Sequence, residues 1–275
     1  MLELTVLAEN SAKICSHLRG EHGLSVYLKC DDLNVLFDTG QSDLYLQNAD
    51  KLERDLNKID WIIFSHHHYD HVDGLKYFPS HQNKKTKLLA QEYAFYQRVG
   101  RTNTLADTEL LKKYDVVIAD SEPIDINQRL IFLARIPRLN DFECQSSFYD
   151  EKVQLPSGQI EEDLYLEDSA LIYRSSDGII VITGCSHSGI CNIVHYAKQI
   201  ANEKWGISNI KTVIGGLHLI DTDPYFLQKT INLLKEYGVN EIRPCHCTDL
   251  AARIALAKAG FQVREVTCGT VVEFL

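Results

Sequence analysis

The sequence predicts an α/β protein in which stacked β-sheets carry helices on their outer faces. Three observations predict it. Short apolar or alternating runs of strand length recur along the chain, several of them paired across tight turns. Each half of the chain is rich in such hairpins followed by helical patterns, and no repeat at a fixed period is present. Histidines recur just past strand ends, the edge at which sheet-and-helix folds build their sites.

Residues 2–8 alternate as a first strand. Residues 25–29 and 34–38 form a hairpin around Asp31-Asp32. The second strand ends in Asp38-Thr39-Gly40, where glycine stops it, and Ser42 or Asp43 caps a helix through Leu46, Leu52 and Leu56. Residues 60–65 (DWIIFS) suit a buried strand. Residues 90–114 read as helical, with Ala94, Leu105 and Leu110 among the apolar positions, followed by strands at 116–119 and 130–134. The stretch 135–165 has no period and holds Pro137, Pro156 and Gly158, so it reads as a long loop or flap, a class of segment that is often functional. A hairpin at 169–173 and 179–183 leads into Gly184. A helix at 189–202, a strand at 211–214, a helix at 224–237, a strand at 241–244 and an alanine-rich helix at 249–259 follow. Strands at 262–266 and 270–274 close the chain.

The 275 residues are enough to bury a large core without a disulfide or structural metal. The formal charge of −10 argues against nucleic acid as a partner, because phosphate binding needs a basic face. No window approaches the roughly 20 apolar residues of a membrane helix, and no basic, apolar leader opens the chain. The expectation is a cytoplasmic protein whose eight thinly spread cysteines are reduced thiols.

Four of the eleven histidines fall in His66-His67-His68-Tyr69-Asp70-His71. The cluster follows an apolar strand directly. In an extended segment His66 and His68 point the same way and can grip one ion while His67 points elsewhere. A tightening turn then brings Asp70 and His71 round to a second ion. Imidazole and carboxylate are ligands for zinc, iron and manganese. His187 (VITGCSH), His218 (VIGGLH) and His246 (EIRPCHC) also sit just past short apolar strands, with Cys185 two residues before His187. The glycines before His218 let the backbone approach something closely.

Ser65–Gly74 (SHHHYDHVDG) resembles the His-x-His-x-Asp-His motif of the metallo-β-lactamase superfamily, and the strand–helix–strand carrying Asp38-Thr39-Gly40 resembles its lead-in. Glu21-His22-Gly23-Leu24-Ser25, Gly184-Cys185-Ser186-His187, Gly215-Gly216-Leu217-His218 and Cys245-His246-Cys247-Thr248 are similar to one subgroup. Its members are labelled dihydropterin ribofuranosylaminobenzene phosphate synthases or metal-dependent hydrolases. The resemblance runs from about residue 2 to the C-terminus. It implies a single domain over 1–275, a four-layer αββα sandwich of two mixed sheets with helices outside, in which 135–165 is a flap over the site.

The resemblance further implies two divalent ions, zinc by preference with manganese or iron as alternatives. His66 and His68 would bind the first with His187 as third ligand; Asp70, His71 and His246 would bind the second. The chain departs from the family pattern at Cys185, where many members have a bridging aspartate. Cys185 either ligates as a thiolate or sits beside the site. The usual histidine ahead of that strand is absent, since 144–184 contains none, so His187 substitutes for it and Asp168 is a minor candidate. Asp73 stands where glycine is usual.

Two cations about 3.5–4 Å apart share a water and lower its pKa toward neutrality, which supplies a hydroxide nucleophile. Asp70 both ligates and orients it. His218, not needed as a ligand, donates a proton to the leaving group or binds a substrate oxygen. His22 reaches the pocket from the flap side. Arg138 and Glu143 are the substrate-binding candidates of the irregular stretch, since arginine clamps phosphate or carboxylate bidentately. The expected activity is hydrolysis of a phosphoester or related small anionic ester. The alternatives are a synthase-type transferase on the same metal site, a di-iron redox protein, and a non-catalytic metal-binding protein. Against the last, strand alternation should turn Cys245 and Cys247 away from His246, and the chain has no Cys-x-x-Cys pair.

Overall fold

The computed structural model describes residues 1–79, 85–143 and 150–275, and the chain divides into two units. The first comprises Met1–Ser121, Ser146–Glu167 and Thr267–Phe274; the second comprises Glu122–Gln145 and Asp168–Val266 with Leu275. In chain order the first unit contributes β1 (Leu2–Ala8), β2 (Ser25–Cys30), β3 (Leu33–Phe37), α1 (Leu44–Lys51), β4 (Trp61–Ile63), α2 (Tyr69–Val72), β5 (Lys87–Gln91), β6 (Gln97–Arg98), α3 (Thr108–Leu111) and β7 (Asp115–Ala119). The second contributes β8 (Ile124–Asp125) and β9 (Leu130–Leu133) before the first resumes with β10 (Lys152–Gln154) and β11 (Ile160–Glu162). The second unit then runs through β12 (Ala170–Ser175), β13 (Gly178–Thr183), α4 (Ile190–Trp205), β14 (Ile210–Gly216), α5 (Pro224–Glu236), β15 (Glu241–Cys245), α6 (Leu250–Lys258) and β16 (Gln262–Val263); β17 (Val271–Phe274) belongs to the first.

The first unit is built on a seven-stranded sheet in the order β17-β1-β2-β3-β4-β5-β7. Its first three pairings are antiparallel and its last three parallel. Leu36, Ile62, Phe64 and Leu88 of this sheet bury Tyr45 and Ala49 of α1 and Leu75 against them. The second unit has its own seven-stranded sheet, β16-β15-β14-β13-β12-β9-β8, parallel from β13 to β16 and antiparallel elsewhere. α4, α5 and α6 cover it through Ile193, Ala197, Ile231, Leu234 and Leu256. β13 is buried at every position and reads as the continuous apolar run GIIVIT, as parallel central strands do. Two mixed sheets with helices are the α/β architecture that the sequence predicts. Among the described residues no helix is long and apolar enough to cross a membrane.

The 90–114 helix does not form. Ala90 ends in β5, and three short turns follow, each started by a side chain that accepts a backbone N–H: Gln91 from Tyr93, Asn103 from Leu105, and Asp107 from Glu109 and Leu110. Such local bonds compete with a continuous helix. The stretch 135–165 is divided rather than one loop. Residues 135–143 belong to the second unit, 150–165 to the first, and 144–149 lie outside the described residues. Its later half contains β10 and β11, which join β6 in a small three-stranded sheet.

Candidate metal centre

In the first unit the parallel strands β3 and β4 end side by side, and their ends carry the site. Asp38 follows the last residue of β3; its backbone is left-handed (φ +58°) and its side chain is fully buried. That carboxylate accepts three hydrogen bonds: from Ser65 N at 2.8 Å, Ser65 Oγ at 2.7 Å and His71 Nδ1 at 2.7 Å. Because the Ser65 hydroxyl proton goes to Asp38, His66 Nδ1, 2.8 Å from Ser65 Oγ, must be the donor of that pair. His66 and His71 therefore both present Nε2 as the lone-pair nitrogen. His68 is set the other way round. Its Nε2 lies 3.2 Å from Glu151 Oε2, an acceptor, so Nε2 is the nitrogen that carries a proton. His66 Nε2 and His68 Nδ1 are 3.1 Å apart. The two nitrogens are hydrogen-bonded to each other, and both are near enough to ligate a single cation. The donor set fits a divalent metal.

Past His68 the one-turn helix α2 brings Asp70 and His71 round, as the sequence suggests. Asp70 Oδ2 lies 3.7 Å from His71 Nε2 and 3.2 Å from His22 Nε2. Gly23, beside His22, has no room for a side chain: a Cβ there would stand 2.4 Å from the Asp70 carbonyl. Asp73 is αR with φ −68°, so no glycine is required at that position; its carboxylate accepts from Thr104 Oγ1 and pairs with Lys76. Glu151 is also held by Tyr165 and Arg101. Burial raises its carboxyl, but the bond and charge of His68 and the charge of Arg101 outweigh burial and hold it below the ordinary range.

His67 points away, into a buried ion network. Its Nδ1 donates to Glu167, which also pairs with Arg98 at 3.1 Å, and Arg98 Nε donates to Asp163 at 2.6 Å. Burial lowers the His67 pKa and keeps the ring neutral; Arg98 and His67 overcome burial to hold Glu167 ionised. Arg98, Glu151, Asp163 and Glu167 had no signal in the sequence, since each meets its partner across a long chain separation. Asp38 did have one, in its place before Thr39-Gly40 at a strand end.

In the second unit β13, β14 and β15 run parallel, and the loop past each carries a predicted site residue. The loops are laced together. Ser186 Oγ donates to Gly216 O at 2.6 Å, Leu217 N donates to Thr248 Oγ1 at 3.0 Å and Leu219 N donates to Cys247 O at 2.9 Å. Ser186, His218, Asp221 and His246 in them have left-handed backbones, a cost typical of functional sites. The rings of His187 and His218 stand 4.6 Å apart. Asp168 Oδ2 accepts from Ser188 N at 2.8 Å and from the Ser188 hydroxyl, which holds the loop bearing His187. Burial pushes its carboxyl up to about 6, with Ser188 opposing.

Donor atoms of Cys185, His246 and Cys247 lie within 4.8 Å of one another. This overturns the expectation that Cys247 faces away from His246. β15 ends at Cys245 and His246 is left-handed (φ +51°), so strand alternation no longer applies there. Glu143, of the irregular stretch, is tied to a helix start. It caps α4, accepting from Cys191 N at 3.0 Å and Asn192 N at 3.1 Å, with Asn140 Nδ2 at 2.7 Å. Arg138 is half-buried and its charge acts on Asp168.

The family model of the Metallo-beta-lactamase superfamily matches residues 18–198. The chain is 30% identical to an uncharacterized protein of Methanocaldococcus jannaschii, over 93% of this chain and 94% of that one. It is 28% identical to the same organism's 7,8-dihydropterin-6-methyl-4-(beta-D-ribofuranosyl)-aminobenzene-5'-phosphate synthase, over 91% and 89%. Among solved structures it resembles Tm1679, described as a metal-dependent hydrolase of the beta-lactamase superfamily, with a TM-score of 0.82, 29% identity and 99% of both chains covered.

Proposed function

We propose that this chain, which belongs to the metallo-beta-lactamase superfamily, is a metal-dependent hydrolase of a phosphoester or related small anionic ester. The observation that carries the reading is the pair of imidazole nitrogens, His66 Nε2 and His68 Nδ1, turned toward each other at 3.1 Å by a hydroxyl and a carboxylate behind them. Two ring nitrogens this close can ligate one cation together. By the family's ligand pattern His66, His68, Asp70 and His71 are the ligand candidates of the first unit, and Cys185, His187 and His246 those of the second. Nitrogen, carboxylate and sulfur donors together favour zinc over manganese or iron. Bound divalent ions supply Lewis acidity for ester hydrolysis.

The protein's own groups do the rest. Asp38 fixes the tautomer of His71, Ser65 that of His66 and Glu151 that of His68. Asp70 accepts a proton from the attacking water at Oδ2, beside His22. His218 donates a proton to the leaving group, and Arg138 binds the substrate's anionic group. The test is elemental analysis of the purified protein beside a panel of phosphomonoesters, phosphodiesters, lactones and thioesters. A stoichiometric metal and a chelator-sensitive turnover that Asp70→Ala abolishes without unfolding are expected. Turnover that survives chelation or Asp70→Ala overturns the hydrolytic reading. The likeness to the named synthase favours a second reading, transfer rather than hydrolysis on a phosphorylated ribosyl substrate. A product that retains both substrate fragments would select it.

A further inference from the structure

The geometry points to a sulfur-rich metal position in the second unit, made by Cys185, His246 and Cys247. It deepens the reading above, with which it shares Cys185 and His246, and adds Cys247 as a ligand. The three side chains come from the loops after β13 and β15, and all are buried, at 4%, 5% and 5% exposure. One donor atom of each lies within 4.8 Å of the others. A buried cysteine is ordinarily a small apolar filler. These two differ in sharing their point of convergence with a ring nitrogen.

The backbone is shaped to admit the sulfur. A Cβ on Gly216 would stand 2.5 Å from Cys247 Sγ and 2.4 Å from the Gly184 carbonyl, so the close approach that the glycine pair promised is an approach to Cys247. The His218 N–H donates to Cys247 Sγ at 3.3 Å, which holds the sulfur in place. As a thiol, Cys247 donates to the Cys185 carbonyl at 3.4 Å; on metal binding that proton leaves and the His218 contact remains. The thiol of Cys191 is engaged elsewhere. Cys191 lies in α4, with its thiol toward the Thr230 carbonyl and its pKa pushed far up by burial.

Two thiolates and an imidazole are a borderline-soft donor set that prefers Zn²⁺, Co²⁺ or Cd²⁺ to Mn²⁺ or Mg²⁺. Bonds of about 2.0–2.3 Å would draw the donors slightly closer together and leave the fourth tetrahedral position open, the arrangement of catalytic rather than structural zinc sites. Each thiol that ligates releases its proton to solvent.

The test titrates reduced, metal-free protein with Co²⁺ and reads the near-ultraviolet sulfur-to-cobalt charge-transfer band. Wild type should show it, Cys247→Ser and Cys185→Ser should each lose about half its intensity, and the double variant should lose all of it. The exposed Cys15→Ser should leave it unchanged. A band that survives intact in Cys247→Ser overturns the inference. Visible cobalt absorption with no charge-transfer band also overturns it, while leaving the histidine-motif reading in place. Failure to bind cobalt at all overturns both. If Cys247→Ser does not fold, the ¹¹³Cd resonance of wild type decides: a strongly downfield position from two sulfur donors is expected, and a position in the nitrogen–oxygen range is refutation.

Discussion

Asp38→Asn tests the arrangement behind the histidine motif with little else disturbed. Asp38 is fully buried and accepts from Ser65 N, Ser65 Oγ and His71 Nδ1, all at 2.7–2.8 Å. Asparagine has the same shape and tolerates the left-handed φ of +58°, so strain adds nothing. It has one acceptor oxygen in place of two. If that oxygen keeps Ser65 N–H, the amide NH₂ faces His71 Nδ1 and drives the proton onto Nε2, the nitrogen needed as a ligand. Loss of an outer-shell partner of this kind costs about 10–100-fold in metal affinity, or ~1.4–2.7 kcal/mol, and a charge-assisted hydrogen bond is worth about as much. Calorimetric titration of metal-free protein with Zn²⁺ should show Kd raised by that factor, with near-ultraviolet circular dichroism unchanged. Asp38→Ala should do the same and also lose about 1–3 kcal/mol of stability through the orphaned Ser65 N–H. Zinc affinity in Asp38→Asn within twofold of wild type would refute the claim that Asp38 sets the His71 tautomer.

Glu151→Gln should weaken the first ion by roughly tenfold without lowering the melting temperature of the metal-free protein, read by competition with a chelating dye. His218→Ala should keep its full metal content and lose about 10²–10⁴ in turnover, as removal of a proton donor does; metal loss in elemental analysis would make His218 a ligand instead. Chelation should lower the melting temperature, and a hundredfold excess of free metal over Kd should restore about 2.7 kcal/mol in denaturant unfolding. Burial raises the Glu143 pKa against the bonds from α4. The folded state therefore holds that proton more tightly than the unfolded chain. The associated stability is complete below the ordinary glutamate value of about 4.3 and is lost as pH rises through the raised folded value. Unfolding of Glu143→Gln and wild type compared from acid to neutral pH should shift in favour of the variant as pH rises.

What the sequence alone determined was whatever depends on near neighbours. The hairpin of β2 and β3, the apolar run GIIVIT, the alanine-rich helix α6 and the side-by-side aim of His66 and His68 all follow from side-chain period and local bonding, so each is legible. The stretch 90–114 has helical apolar spacing yet forms no continuous helix, because Gln91, Asn103 and Asp107 turn their side chains to local backbone N–H groups. Tertiary structure decided what depends on distant partners. Glu151 behind His68, Glu167 behind His67 and Glu143 beneath α4 are separated in sequence by 83, 100 and 48 residues from the groups they serve. The left-handed turn at His246 brought Cys247 round to Cys185, a juxtaposition that no alternation rule could supply. Residue types announce which chemistry is available; only the closing of long loops selects which nitrogen, oxygen or sulfur faces it, because tautomer and orientation are set by groups that the chain delivers from far away.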